Sequence, residues 1–327
     1  MSIIYLTSDL SSAHTEKRVK WFKLNRYKFK LLGCANSNNI DSNRDKNVFL
    51  FKSGIKGYLQ RILFSLSLII KERNSLKNNI LIVRGFEYVF FLWIFRINFI
   101  KEITDIPSSF FNYKFLRFFF KILLKNKIIF FTSKGYNKIF EFKNKNIFVW
   151  HNNPVLNKNQ NINRPNKRIV YAGYLRGLPT LSQKLDNLKI DLWGKLNIIT
   201  QDYKSNFVSK NYKGTYLFKN LSNLYGQYQL SYISDFYGEN SKFNLTNRLY
   251  ESVFNNCIPI EINNNYQKSF LDKLGIIYFD SSNAIKNYDQ DFYTDYVINN
   301  YKLLSKKISN DESCLILFLN NYFRKNY

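Results

Sequence analysis

The stretch that decides the fold is residues 240–262, which reads NSKFNLTNRLYESVFNNCIPIEI. Its first part carries three residues that can cap a helix, Asn244, Thr246 and Asn247, and apolar residues follow them at helical spacing. The dipeptide before Cys257 and then Pro259 end this helix and lead into a short apolar strand. A helix that leads directly into a buried strand is half of a βαβ unit, the building block of parallel sheets.

The same alternation of strands and helices extends in both directions. Further strands of the second half are predicted at RIVYAG (168–173), KIDLWG (189–194), LSYIS (230–234) and IIYFD (276–280). Those of the first half are SIIYLTS (2–8), NILIVRG (79–85), FIKEI (99–103), KIIFFTS (127–133) and NIFVW (146–150). Helices are predicted between them, at 57–73, 221–229 and 247–255 among others. The pattern predicts an α/β protein made of two doubly wound domains in tandem.

The two domains are expected to meet at residues 151–168, HNNPVLNKNQNINRPNKR, because this asparagine-rich segment has two prolines and few aliphatic side chains. At 327 residues the chain also exceeds what one hydrophobic core usually fills. We therefore predict an N-terminal domain at 1–155 and a C-terminal domain at 166–327, with the last helix packing back on the N-terminal domain.

The chain is strongly basic, with 49 Lys and Arg against 23 Asp and Glu, a net charge of +26. Residues 1–155 hold 27 of these cations and 9 of the acids, a net +18. Such a field attracts phosphates, acidic lipid surfaces or nucleic acid. An AT-rich genome would explain part of the lysine excess equally well.

Cysteine and histidine usage excludes several chemistries. The three cysteines, Cys34, Cys257 and Cys314, lie far apart, so neither a disulfide framework nor a CxxC site is predicted and a reducing cytoplasm fits best. With His14 and His151 as the only histidines, a His-rich zinc site is excluded and no metal site is predicted.

No membrane-spanning helix is predicted. The opening MSIIYLTSDL indicates a strand rather than a signal peptide. The most apolar window, residues 80–100, contains Arg84, Glu87 and Arg96, each of which would cost several kcal/mol inside a bilayer.

Ligands of open parallel sheets bind beyond the carboxyl ends of the strands, so functional residues are sought there. In the second half, Gly173 and Arg176 follow one strand and Lys195 follows the next. A glycine turn lets backbone N–H groups approach a phosphate, and two cations after neighbouring strands would converge on one diphosphate. The alternative for each turn taken alone is an ordinary strand end with a solvated cation.

The helix within residues 240–262 adds a second candidate anion site. Asn247 and Arg248 lie at its start, where the helix dipole favours a negative group. Glu251 lies one turn further on, where a carboxylate can accept ribose hydroxyls or simply be a surface charge.

At this point the sequence resembles the GT-B glycosyltransferases, particularly bacterial enzymes of glycosyltransferase family 4. The segments VYAGYLRG, LWGK and NRLYESVFNNCIPIEI resemble the nucleotide-sugar domain of these enzymes. The segments YLTSDLSSAHTEKRVKWF, KEITDIPSS and FFTSKGYNKIF resemble their acceptor domain. The resemblance implies two Rossmann-like domains facing a central cleft. It also implies a nucleotide-diphosphate sugar as donor substrate, bound by the second domain, with no further cofactor and no metal.

The chain departs from the family pattern at the glycine before Pro259, where it has Asn256 and Cys257, and at a glutamate. The family has a pair of glutamates eight positions apart, whereas this chain has Phe243 in the place of the first and keeps only Glu251. Glu239, on the preceding loop, is a substitute. The departure leaves open whether transfer is retaining or inverting.

An inverting reaction needs a base from the acceptor domain to take the proton of the acceptor hydroxyl. Asp105, which follows the strand FIKEI, is the first candidate, and Glu102 and His14 come next. The alternative is that Asp105 only caps the turn before Pro107.

A helix predicted at 110–127 carries a stripe of cations, Lys114, Arg117, Lys121 and Lys125. Such a helix suits either an anionic membrane surface or a core helix with one solvated face. We predict a cytoplasmic glycosyltransferase of capsule or O-antigen synthesis, peripheral on the inner face of the membrane. The alternatives are a nucleic-acid-binding protein, a DNA-modifying glycosyltransferase and a non-catalytic scaffold of the same fold.

Overall fold

The protein is described by a computed structural model. The described residues are 2–10, 12–36, 49–51, 55–106, 112–143, 146–152, 168–173, 189–194, 211–216, 220–234 and 242–326. The chain divides into two compact units, the first formed by Met1–Val155 with Asp311–Tyr327 and the second by Leu156–Asn310.

The first unit is built on a parallel sheet of seven described strands. They are β1 Ile3–Thr7, β2 Phe29–Asn36, β3 Phe49–Phe51, β4 Ile80–Val83, β5 Ile100–Ile103, β6 Ile128–Phe131 and β7 Ile147–Val149. Their order is β3-β2-β1-β4-β5-β6-β7, and every described pair is parallel. This is the doubly wound arrangement that the alternation of strands and helices predicts.

Helices cover both faces of this sheet. They are α1 Ala13–Leu24, α2 Ile55–Lys71, α3 Arg73–Lys77, α4 Glu87–Ile94, α5 Lys114–Leu124 and α6 Asn137–Phe140. The chain moves one way across the sheet from β1 to β2 and the other way from β4 to β6. Right-handed crossovers therefore place α1 on one face and α4 and α5 on the other.

The second unit is likewise built on a parallel sheet, with five described strands. The strands are β8 Ile169–Ala172, β9 Ile190–Trp193, β10 Tyr212–Gly214, β11 Leu230–Tyr232 and β12 Ile258–Ile260, in the order β10-β9-β8-β11-β12. The helices are α7 Leu221–Tyr225, α8 Asn247–Phe254, α9 Asn265–Leu274, α10 Ser282–Lys286 and α11 Tyr293–Asn326. All pairs between these strands are parallel.

The long helix α11 begins in the second unit and ends in the first. Tyr293 and Val297 belong to the core of the second unit, whereas Leu315 and Leu319 pack in the core of the first. Within that first core, α1 contributes Trp21, whose ring centroid lies 5.0 Å from that of Trp150. The apolar residues of α11 are thus divided between two separate cores.

Some elements of the structure differ from those predicted from the sequence. The strands β2, β3 and β10 were not predicted, because β3 and β10 are short edge strands and β2 is interrupted by Lys30 and Gly33. The predicted strand at 276–280 is only an isolated bridge between Ile260 and Phe279. The helix predicted at 110–127 is α5, Lys114–Leu124. Within the described residues, no helix is long and apolar enough to cross a membrane.

Candidate active site

A buried carboxylate lies at the end of β5 in the first unit. Glu102 is fully buried, and its Oε1 accepts hydrogen bonds from Arg18 Nε at 2.7 Å and His14 Nε2 at 3.0 Å. Its Oε2 accepts a bond from the Tyr5 hydroxyl at 2.5 Å. A buried charge is tolerated only when it is paired and hydrogen-bonded in this way. Both carboxylate oxygens are therefore engaged with protein donors.

Arg18 connects this carboxylate to the end of β7. Its two terminal nitrogens donate to the carbonyl oxygens of Trp150 and His151, each at 2.8 Å, and its guanidinium lies 3.8 Å from the Trp150 ring centroid. The His151 ring in turn lies 2.6 Å from Asp311 Oδ2 on α11. The planar guanidinium thus ties together α1, β5 and the residues after β7.

The protonation states follow from burial and from these partners. Burial alone would raise the pKa of the Glu102 carboxyl, but Arg18, His14 and Tyr5 hold that pKa well below its ordinary value. Burial lowers the pKa of His14 to about 4, against the pull of the Glu102 carboxylate. Glu102 is therefore ionised and His14 neutral near pH 7.

A neutral His14 must place its single N–H proton on Nε2, since that nitrogen faces the Glu102 carboxylate. Nδ1 then carries the lone pair, and it lies 3.0 Å from the side-chain Oδ1 position of Asn152. A lone pair needs a donor, so the Asn152 amide is best assigned with its NH₂ group at that position. In this arrangement Nδ1 is already hydrogen-bonded.

Asp105 differs from Glu102 in being exposed to solvent. It lies two residues beyond β5, and its Oδ1 is 3.5 Å from the Tyr136 hydroxyl. Of the three residues that the sequence predicts as a base, Asp105 is the accessible one, whereas Glu102 and His14 belong to the buried cluster.

Arg18 and Lys101 are two functional residues of this region that are not predicted from the sequence. Lys101 is fully buried, and its ammonium group donates to the carbonyl oxygens of Val83 at 3.3 Å, of Glu102 at 2.7 Å, and of Arg84. Burial lowers the pKa of Lys101 to about 7, although the negative charges of Glu102 and Glu87 act in the opposite direction. The sequence signal for buried partners in this region is the pair of charged residues, Lys101 and Glu102, inside the otherwise apolar strand β5, because buried charges require buried partners.

In the second unit, β8 and β9, the two strands that are each followed by a glycine, lie side by side. Gly173 N donates to Trp193 O at 3.0 Å, and Gly194 N donates to Gly214 O at 2.9 Å. A β-carbon on Gly194 would lie 1.7 Å from the Gly173 carbonyl oxygen, so only glycine fits at that position. The two glycine turns that the sequence singles out therefore meet at one edge of the sheet.

Arg248 lies at the same edge. Its Nη1 would be 2.8 Å from a β-carbon on Gly173, its Nη2 donates to Ser234 O at 3.0 Å, and its guanidinium lies 4.7 Å from the Tyr171 ring centroid. Its helix α8 begins after Thr246, whose hydroxyl accepts from Leu249 N at 3.3 Å. Of the three predicted caps, Thr246 is the one that caps.

The remaining described donor-site candidates are on α8. Asn247 is exposed at the first position of the helix, whereas Glu251 is buried. Burial and then the charge of Glu251 raise the pKa of Tyr225 well above its ordinary value, which places Glu251 close to α7. Phe243 is partly exposed just before the helix. Arg176, Lys195 and Glu239 lie outside the described residues.

A second buried carboxylate, Glu261, was not predicted. It lies directly after β12, is fully buried, and accepts hydrogen bonds from Asn263 N at 3.0 Å, Asn264 N at 2.9 Å, and the side chains of Ser234 and Gln267. Burial raises its pKa despite these donors. The backbone oxygen of Ser234 also accepts a hydrogen bond from Arg248. The Glu261 carboxylate therefore holds in place the segment after β11 that Arg248 contacts.

The predicted membrane stripe lies on α5 and just beyond it. Lys114 and Lys125 are exposed, and Arg117 and Lys121 are partly exposed. Lys121 Nζ lies 3.3 Å from the Glu141 carboxylate. The four cations are therefore on the surface of the first unit.

No protein-family model matches the chain, and no curated protein matches it by sequence. Solved structures do match it over almost its full length. Anabaena HepE in complex with UDP-glucose aligns with a TM-score of 0.67 and 10% identity, over 98% of this chain and 100% of HepE. A UDP-forming α,α-trehalose-phosphate synthase from Burkholderia vietnamiensis aligns at 0.66 and 9%, over 98% and 100%. The lipopolysaccharide outer core galactosyltransferase WaaB aligns at 0.57 and 12%, over 94% and 91%.

The strand order and these structural similarities define the fold class of the protein. Two units, each a parallel sheet with the Rossmann-like strand order, form an α/β protein of the tandem type that the sequence predicts. More particularly, the chain has the fold of the GT-B glycosyltransferases, and the predicted resemblance to them is confirmed at the level of the fold.

Proposed function

We propose that this protein is a glycosyltransferase that moves a sugar from a nucleotide-diphosphate donor to a glycan or lipid-linked acceptor. We assign it to bacterial surface polysaccharide synthesis, such as that of capsule or O-antigen. The observation that carries the proposal is the carboxyl edge of the second sheet, where Gly173, Gly194 and Arg248 meet. Strand-end backbone and a guanidinium at one edge are groups suited to a diphosphate.

Each donor-site residue has a proposed role. We propose that Arg176 and Lys195 contact the diphosphate together with the backbone at Gly173, that Asn247 and Arg248 support it from the start of α8, and that Glu251 accepts the ribose hydroxyls. Glu239 is the substitute for the carboxylate that Phe243 replaces. HepE, which has the same fold, binds UDP-glucose, and this supports a sugar nucleotide as the ligand class. No cofactor or metal forms part of the proposal.

For an inverting reaction we propose Asp105 as the base that takes the proton of the acceptor hydroxyl. It is exposed, whereas Glu102 has both oxygens engaged and His14 has its Nδ1 facing Asn152. Glu102 is better suited to position Arg18 and His14 than to react.

We also propose that the protein is cytoplasmic and works at the inner face of the membrane, where lipid-linked acceptors are presented. The cations Lys114, Arg117, Lys121 and Lys125 support this location because they suit anionic headgroups. Each cation near such a surface contributes about 1 kcal/mol before screening.

A thermal-shift screen tests the donor proposal directly. UDP, GDP, dTDP and CMP are each compared with the corresponding nucleoside, which shares the base and the sugar but lacks the phosphate groups. We expect one nucleotide to raise the melting temperature in a concentration-dependent way while its nucleoside does not, since a ligand of the folded state stabilises it. Absence of stabilisation by all four nucleotides contradicts the proposal.

The alternative that a specific observation favours is a non-catalytic scaffold, because Phe243 stands where the family has a glutamate. Hydrolysis of the sugar nucleotide that binds best distinguishes the two. A scaffold binds the nucleotide without turnover, whereas a transferase slowly releases the sugar to water.

A further inference from the structure

Three helices of the first unit form one continuous surface. The central helix α4 packs against both α2 and α5. Aromatic contacts join α4 to α5: the ring centroids of Phe90 and Phe119 are 6.0 Å apart, and those of Phe86 and Phe120 are 5.3 Å apart. The three helices therefore present their outer sides as a single layer.

This layer carries an unusual share of the exposed apolar side chains. Nine of the fourteen exposed large apolar residues among the described residues lie on it. They are Leu59, Leu63 and Ile70 on α2, Phe90, Trp93 and Ile94 on α4, and Phe115, Phe118 and Ile122 on α5. We call these nine residues the three-helix apolar face.

The spacing shows that each helix has two apolar sides. On α5 the exposed residues Phe115, Phe118 and Ile122 are three and four positions apart, which is one side of a helix. Leu123 and Leu124 on the other side are buried against the unit. The exposed residues therefore do not pack against the sheet, and their apolar character needs another explanation.

Soluble monomers rarely expose contiguous apolar patches larger than a few hundred Å² unless something binds there. Phe115 is 73% exposed, Leu63 66% and Phe118 61%, so each of these residues is mostly exposed to solvent. A binding partner that covers the face is therefore expected.

The charge of the same helices identifies the partner. The sequences of α2, α4 and α5 together contain six Lys and Arg residues and one acid, Glu87. A second copy of the chain docked face to face would bring like charges together. An anionic bilayer surface offers both an apolar phase for the exposed rings and negative headgroups for the cations.

We infer that the three-helix apolar face inserts into the interface of an anionic membrane. Phe115, Phe118 and Trp93 enter the acyl boundary, while Lys114 and Arg117 extend their charged ends to the headgroups. Insertion of this face rests on the peripheral location proposed above, but it is independent of the transfer reaction. It differs from attraction by the cation stripe alone, because insertion resists salt and removes specific side chains from water.

Trp93 provides an intrinsic probe of insertion. It is 52% exposed on the central helix, whereas Trp21 and Trp150 are buried in the core of the first unit and Trp193 is partly buried in the second. Phosphatidylglycerol vesicles with brominated acyl chains quench a tryptophan that enters the acyl region. We expect such vesicles to quench the fluorescence of the unmodified protein, and the Trp93→Phe variant to lose that quenching while still sedimenting with the vesicles.

A matched pair of triple variants tests the face itself. Leu63→Ser, Trp93→Ser and Phe118→Ser together remove one exposed apolar side chain from each helix. The control carries Leu24→Ser, Ile298→Ser and Leu317→Ser, which are equally exposed but lie elsewhere. We expect vesicle binding to weaken by at least about tenfold in the first variant and by less than about twofold in the control.

Several outcomes overturn the inference. The first is that the protein does not sediment with anionic vesicles at low ionic strength. The second is that it sediments but the fluorescence of Trp93 is not quenched, which would mean that charge alone attaches it to the vesicles. Concentration-dependent dimers that the first triple variant abolishes would assign the face to a second copy instead. The melting temperatures of both variants must equal that of the unmodified protein, which shows that the variants fold. The nucleotide screen uses no vesicles, so a failure of the proposed donor function is recorded separately.

Discussion

Gly194 approaches the carbonyl group of Gly173 so closely that a β-carbon on Gly194 would lie 1.7 Å from that oxygen. Its φ of +143° is also outside the range that other residues adopt easily. We therefore predict that Gly194→Ala lowers the free energy of unfolding by at least about 2 kcal/mol, since backbone must move to accept the methyl group. Urea unfolding measures this loss.

Gly214→Ala is the matched control for this prediction. Gly214 also has a positive φ, +119°, but a β-carbon there would have no heavy atom within 4 Å. It carries the conformational cost without the clash, so its loss of stability should be distinctly smaller. Equal losses in the two variants would show that the contact between the strand ends is not what requires glycine.

A second prediction concerns the buried carboxylate of the first unit. Glu102→Gln keeps the shape of the side chain but leaves the Arg18 guanidinium without its buried counter-charge. Breaking such a pair typically costs about 3 to 5 kcal/mol, and we expect an unfolding free energy reduced by that amount. In Glu141→Gln, which loses only the exposed contact with Lys121, the change should stay within about 1 kcal/mol. Similar stabilities for the two variants would contradict the assignment.

The buried imidazole predicts a pH dependence of stability. The pKa of His14 falls from 6.5 to about 4 on folding, so below pH 6.5 the unfolded chain binds a proton that the folded chain does not. The free energy of unfolding should therefore decrease as the pH falls, by about 2 kcal/mol from this residue between pH 7 and pH 5. His14→Gln should show a correspondingly flatter profile in chemical denaturation. An unchanged slope would mean that the pKa of His14 does not change on folding.

Much of the fold could be predicted from the sequence because the central strands are short apolar runs that end in glycine or polar residues. Strands β1, β4 and β8 are buried along their whole length, and their apolar composition reflects this. The edge strand β10 reads only YKG and pairs on one side, so its sequence carries almost no apolar signal. Burial on both faces is what makes a strand recognisable.

The candidate site could be predicted in part for a related reason. The rule that ligands bind at the carboxyl ends of parallel strands brings Gly173 and Arg248 to the same edge, as the structure has them. The pairing of Arg18 with Glu102 spans 84 positions, and that of Ser234 with Glu261 spans 27. A charged residue inside an apolar strand indicates that a buried partner exists, but only the packed structure identifies it.

A further prediction concerns the contribution of Arg248 to binding of the donor nucleotide. Its guanidinium lies beside Gly173 at the edge proposed for the diphosphate, and a charge-assisted contact contributes about 1.5 to 3 kcal/mol. Arg248→Gln should therefore weaken the binding of the best nucleotide by at least about tenfold, measured by isothermal titration calorimetry. Arg176→Ala should do the same.

Lys273→Gln is the control, because it removes an equal charge from an exposed position on α9, away from this edge. The Lys273→Gln variant should bind the nucleotide with the same affinity as the unmodified protein. An Arg248→Gln variant that is fully folded by its melting temperature and binds the nucleotide normally would remove Arg248 from the donor site.

The last prediction assigns the base. Asp105 is the exposed carboxylate two residues beyond β5, and its Oδ1 accepts a hydrogen bond from the Tyr136 hydroxyl at 3.5 Å. Asp105→Asn keeps the size of the side chain but cannot take up a proton, so kcat should fall by a factor on the order of 10² to 10⁴. Nucleotide affinity should not change, because the donor edge is in the other unit. The exposed acid Glu16 on α1 serves as control, and Glu16→Gln should retain full activity. If Asp105→Asn stays active while His14→Gln does not, the base is the imidazole, and Asn152 must then release Nδ1 when the acceptor binds.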